Sequence, residues 1–131
     1  MGLLLDTHIW IWFKMGASQL KQREIEQILH AHAQNKLFIS TISIWEVAML
    51  QKHGRLALHQ PINQWLKTAT KGIQQLPIST EIALESVLLP NLNHKDPADR
   101  FILATSRILS LTLLTHDVIL LDYVNLGYLP G

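Results

Sequence analysis

Five carboxylates in this chain stand where their type and spacing allow chemistry: Asp6, Glu46, Asp96, Asp99 and Asp117. Asp6 ends the apolar run "GLLL" (2–5), and a second apolar run, "IWIWF" (9–13), follows almost at once. Asp117 lies two residues past "LTLLT" (111–115). Glu46 is the only charged residue in "LFISTISIWEVAML" (37–50), with no Lys or Arg within four residues of it. A carboxylate in so apolar a segment is expected to be partly buried, and burial without a partner costs several kcal/mol. Either a distant cation pairs with it or a metal does. Carboxylates gathered at one place repel one another and protonate or destabilise the fold unless a cation neutralises them. Mg²⁺ or Mn²⁺ prefers oxygen ligands and keeps several waters, so a few carboxylates around an open pocket suit it. Zinc is the poorer match, because the chain has no cysteine and its seven histidines are scattered. A hard divalent ion so held activates water and neutralises charge on a phosphodiester during in-line displacement. Read alone, these residues point to a Mg²⁺- or Mn²⁺-dependent phosphodiesterase.

Each carboxylate except Glu46 also has a plain structural role open to it. Asp6 suits the N-cap of a following helix. Asp96 suits an N-cap with Pro97 at N1, and Asp99 then falls at N3, where an acid favours the helix dipole. Asp117 suits the start of a turn. The other acids, Glu24, Glu26, Glu81, Glu85 and Asp122, read as solvated faces or loops.

The elements that must position these groups follow from periodicity and breakers. Short apolar runs predict strands at 2–5, 36–40, within 73–79 and at 111–115. Helices are predicted at about 7–14, 19–34 (with Ser18 as cap), 41–53, 61–71, 79–89 and 96–110. Gly54 and Gly72 stop two of them, and Pro90 a third. Strands alternating with helices imply a mainly parallel central sheet with helices on both faces. Ligands in such sheets sit at the carboxyl ends of the strands. That rule puts Asp6 and Asp117 on one sheet edge and Glu46 in the helix that leaves the same edge. Asp96 and Asp99 open the helix before the last strand.

Composition bounds the reading. The 131 residues, 48% of them hydrophobic, fit a single domain, 1–131, with an ordinary core. Eleven basic against ten acidic residues give a net charge of +1, so any RNA contact must come from a local patch rather than a global field. The absence of cysteine suits a reducing compartment. No basic segment precedes the first apolar run, Asp6 interrupts it, and no uncharged run is long enough for a span. Neither a signal peptide nor a membrane span is therefore expected, and a cytoplasmic location is.

Four segments in order, "LLLDTHIWIW", "STISIWEVAML", "HKDPADRFILATS" and "LLTHD", resemble the PIN-domain ribonucleases, and most of all the VapC toxins of bacterial type II toxin–antitoxin systems. "HGRL" (53–56), after the Glu46 helix, agrees. The resemblance covers nearly the whole chain and implies a compact PIN-like α/β/α sandwich that cleaves RNA with Mg²⁺ or Mn²⁺. It also implies that Asp6, Glu46, Asp99 and Asp117 match an acidic quartet, with Asp96 in an "HxDPxDR" variant of the third motif and Thr7 as the polar companion of Asp6. Ala98 stands where many relatives carry a bulkier residue, a departure that touches packing more than chemistry. A homodimer and a VapB-type antitoxin, whose C-terminal segment lies across the groove, are implied on the same ground.

Other residues fall around this frame. His8, His94 and His116 each lie within two residues of one of the five acids and are read as orienting neighbouring loops. Arg100 either grips the scissile phosphate or pairs with a carboxylate. Lys52, Arg55, Lys67 and Lys71, with Lys95 and Arg100, are candidates for a basic rim that meets RNA. Trp10 and Trp12 point to different sides of one helix, so either both are buried between layers or one meets a partner. A haloacid-dehalogenase-type phosphatase needs a second Asp where His8 stands. A receiver domain needs an acidic pair at the first strand and a Lys after the last. The remaining alternative is a non-catalytic PIN-like protein- or RNA-binding module. The complete quartet argues against it, since a module without the metal would gain stability by losing the repulsion.

Overall fold

The computed structural model describes residues 2–90, 96–125 and 127. Four strands, β1 (Leu3–Leu5), β2 (Leu37–Ser40), β3 (Gln74–Leu76) and β4 (Thr112–Leu114), form one sheet in the order β3-β2-β1-β4. Every pairing is parallel, with Leu3 opposite Leu37 and Thr112, and Ser40 opposite Leu76. Helices α1 (Thr7–Met15) and α2 (Gln22–Ala33) join β1 to β2. Next come α3 (Thr41–Lys52) and α4 (Ile62–Ala69) before β3, and α5 (Thr80–Leu88) and α6 (Pro97–Leu109) before β4. The last described helix is α7 (Val118–Asn125).

The apolar strands read as continuous runs because both sheet faces are covered. Alternation along each strand divides the core in two. Leu3, Leu5, Leu37 and Ile39 pack with Ile9, Trp10, Ile28, Val47 and Trp65 on one face. Leu4 and Leu113 pack with Ile102, Leu103, Leu120 and Tyr123 on the other. The result is the expected three-layer α/β/α sandwich. Leu4 and Leu5 are wholly buried, and truncating either to Ala would cost about 2–5 kcal/mol. No described helix is long and apolar enough to cross a membrane.

Local chemistry sets most helix ends. Gly16 takes a left-handed conformation (φ 64°) that ends α1, and the next N–H, of Ala17, reaches the Trp12 carbonyl at 2.9 Å. Ser40 caps α3 by accepting from the Ile42 N–H at 3.1 Å. Two elements depart from the sequence reading. Helix α2 starts at Gln22 rather than after Ser18, because Glu24 reaches back to the Lys21 N–H at 2.9 Å and closes the first turn there. Helix α7 was not expected: Asp117 begins a helix rather than a turn, accepting from the N–H groups of Ile119 and Leu120 at 2.9 and 3.1 Å.

Candidate active site

The strand order explains where the acids meet. The chain builds outward from β1 through β2 to β3, then crosses back to place β4 on the other side of β1. The crevice between the ends of β1 and β4 is thus a topological switch point, where open α/β sheets hold their ligands. Asp6 follows β1 there and is only 6% exposed. One of its oxygens, Oδ1, accepts from the Thr7 N–H at 2.8 Å, and Oδ2 accepts from the Thr115 hydroxyl at 2.7 Å. Thr115 in turn accepts from the Asp117 N–H at 3.0 Å. A single hydroxyl therefore ties the carboxyl end of β1 to that of β4 and fixes the distance between two of the acids. Each carboxylate oxygen of Asp6 retains a second lone pair.

Glu46 is positioned by a different chain of hydroxyls. Thr7 Oγ1 donates to Glu46 Oε1 and lies 2.7 Å from Ser43 Oγ. Thr7 has one hydroxyl proton, so with Glu46 ionised the order must be Ser43 to Thr7 to Glu46. Ser43 and Thr7 are almost wholly buried, and Ser43 sits one turn before Glu46 on the same face of α3.

Asp6, Glu46, Asp96, Asp99 and Asp117 line one cavity of about 290 Å³ together with His8, Trp12 and His116. No described Lys or Arg lines it. Burial pushes the Glu46 carboxyl up to about 7; the Thr7 hydrogen bond opposes this, and the charges of Asp99, Asp6 and Asp96 add to it. Burial also raises Asp6, against the hydrogen bonds from Thr115 and Thr7. The donor set is carboxylate oxygen crowded by its own charge, which fits a hard divalent cation. Among the described residues no group of three or more His, Asp or Glu side chains is spaced to hold a metal ion as a ready-made ligand shell. Mg²⁺ asks for no such shell, since it binds through one or two carboxylates and keeps waters.

The remaining candidates divide. Asp96 caps α6, accepting from the N–H groups of Ala98 and Asp99 at 2.9 and 3.4 Å. Arg100 is not on the cavity wall: its Nε and one terminal nitrogen donate to the carbonyls of Ser86 and Val87 at 2.7 and 3.2 Å. It closes the last turn of α5, whose carbonyls lack intrahelical partners. Lys52 and Arg55 are exposed at and beyond the end of α3, and Lys67 and Lys71 are exposed around α4; none lines the cavity. His94 and Lys95 lie outside the described residues.

Glu24 behaves unlike its sequence reading, and the two tryptophans separate. Glu24 is not on a solvated face but 8% exposed, with both carboxylate oxygens on His116 Nε2 at 3.0 and 2.8 Å. Burial raises its carboxyl, but the Lys21 N–H and the His116 hydrogen bond and charge outweigh that and hold it below the ordinary range. Its N3 position was the one local signal available. Trp10 is fully buried, with its ring N–H on the Ala69 carbonyl at 2.8 Å and its centroid 5.2 Å from that of Trp65. Trp12, half-buried, is the tryptophan that turns to the cavity.

Comparison with known proteins agrees with this fold. A family model for the PIN domain matches residues 3–125. Ribonuclease VapC22 of Mycobacterium tuberculosis is 31% identical over 115 residues, covering 88% of this chain and 86% of that protein. A solved toxin–antitoxin complex from Klebsiella pneumoniae contains a chain with a TM-score of 0.65 and 26% identity, covering 97% of this chain and 94% of that one. Sequence and fold agree along nearly the whole length, and the acids meet where this topology reverses: the chain belongs to the PIN-domain family.

Proposed function

We propose that this protein is a Mg²⁺- or Mn²⁺-dependent endoribonuclease and the toxin of a VapBC-type toxin–antitoxin pair. The observation that carries the reading is Glu46: a half-buried carboxylate pushed up to about 7, set among Asp6, Asp96 and Asp99 in a cavity with no described Lys or Arg on its wall. Such crowding costs stability and is understandable where a cation is taken up. Asp6, Glu46, Asp99 and Asp117 are the residues that would hold the ion, and Asp96 serves chiefly the start of α6. When bound, the ion supplies the charge neutralisation and Lewis acidity that phosphodiester hydrolysis requires. The protein's own part is positional. Thr115 and Thr7 hold Asp6 in place, and the Ser43–Thr7 pair keeps Glu46 aimed inward.

Partners follow from the same reading. RNA is the substrate. The likeness to a chain from a toxin–antitoxin complex supports an antitoxin, whose basic and apolar segment would cover an acidic cavity edged by Trp12. On α5, Leu84, Val87 and Leu88 are 60%, 72% and 61% exposed, an apolar patch that supports a homodimer. The test is cleavage of single-stranded RNA by purified protein freed of inhibitor. Cutting should appear with Mg²⁺ or Mn²⁺ and vanish in excess EDTA. Undiminished cutting in EDTA defeats the metal assignment, and no cutting with either ion leaves only a binding module.

A further inference from the structure

Resting on the ribonuclease reading, we propose that His8, Trp12 and His116 form a nucleobase subsite that holds one base of single-stranded RNA beside the phosphate to be cut. His8 and Trp12 are four residues apart on α1 and share a face. Their ring centroids are 5.8 Å apart and tilted by 51°. His116, from the loop after β4, completes the row at 5.3 Å and 54° from Trp12. All three rings line the cavity that the five carboxylates line. His8 is two residues from Asp6 and His116 is adjacent to Asp117. A phosphate held at a cation among the acids would therefore have its own nucleotide's base beside this wall.

The wall is held in place. Glu24 is buried, anchored by the Lys21 N–H, and grips His116 Nε2 with both oxygens. This carboxylate is absent from the cavity lining, so it has no part among the acids of the site. Its effect is to fix the imidazole against Trp12 across 92 residues of sequence. Rings fixed in this way are the stacking platforms that single-stranded nucleic acid uses, because every base presents a π-face. The cavity, at about 290 Å³, is at the small end for ligand sites and has room for one nucleotide unit, not a duplex.

The experiment is an abasic scan of a short single-stranded RNA that the wild type cuts. Binding is read by fluorescence anisotropy with Mg²⁺ on the full chain carrying Asp6→Asn to prevent cleavage. One abasic position should weaken binding about 5- to 150-fold, the range of a lost base stack. Adding Trp12→Leu or His8→Ala should remove that position's penalty while leaving the others. His8 is exposed, so its variant keeps the test open if Trp12→Leu fails to fold. An abasic profile unchanged in both variants overturns the subsite and leaves the nuclease standing, provided wild type still cuts RNA. A wild type that neither cuts nor binds RNA with Mg²⁺ or Mn²⁺ overturns both readings. Ring variants that bind RNA normally but no longer capture a co-expressed VapB-type antitoxin would assign the wall to that partner and also overturn the subsite.

Discussion

Replacing Glu46 by Gln should make the metal-free protein more stable, and only above acid pH. The Glu46 carboxyl rises from its ordinary 4.5 to about 7 in the folded chain, so the fold favours its neutral form. For a carboxyl raised on folding, the stabilising contribution is complete below 4.5 and is lost as pH climbs through about 7. At 1.36 kcal/mol per pH unit the full loss is about 3 kcal/mol, and between pH 5 and 8 it is about 2.5 kcal/mol. Glu46 is half-buried, and solvent screening brings the latter figure to about 1.5–2 kcal/mol. Glu46→Gln keeps a carbonyl oxygen to accept from Thr7 and cannot ionise. The assay is urea unfolding of wild type and variant in EDTA at pH 5, 6, 7 and 8. The gap in favour of the variant should widen by about 1.5–2 kcal/mol from pH 5 to pH 8, equivalent to several degrees in Tm. Added Mg²⁺ should close it at pH 8 by stabilising the ionised wild type. Parallel stability curves in EDTA would refute the claim that Glu46 is held among like charges.

Asp6→Asn should abolish RNA cleavage yet leave the metal-free protein folded, with Tm unchanged or slightly raised. The amide can still meet the Thr7 N–H and Thr115 while one negative charge leaves a buried site; a large fall in Tm would mean that capping is its main role. Asp96→Ala should cost about 0.5–2 kcal/mol, the usual price of a lost cap, and leave measurable cleavage, whereas Asp96→Asn should behave nearly as wild type. Asp99→Asn should instead remove cleavage with little change in stability, and the opposite pattern in a side-by-side assay would reverse the two roles.

How far the sequence reaches is set by the range of the forces involved. The run "LLL" ending on Asp6, the Asp96–Pro97 start of α6, Ser40 before α3 and Gly16 after α1 are local signals, because caps and left-handed turns act within a few residues. Strand–helix alternation is also local, and it carries the parallel sheet with it; from that, Asp6 and Asp117 on one edge follow. Which groups then touch depends on strand order. The neighbouring of β1 and β4 lets Thr115 reach Asp6 across 109 residues and His116 reach Glu24 across 92, and nothing near either residue announces it. A glutamate at N3 looks like any solvated first-turn acid until its distant partner is in place. Arg100 follows Asp99 in sequence, but α6 packs against α5 and its guanidinium donates to the Ser86 and Val87 carbonyls. Trp10 and Trp12 have nearly the same neighbours in sequence, and only the packing of α4 against α1 buries the first on Ala69 and leaves the second facing the acids. Sequence alone determined most of the elements, α7 excepted, and the sheet edge where the acids gather. Tertiary structure alone decided their partners, because hydrogen bonds and burial at that edge join residues that only the completed sheet brings together.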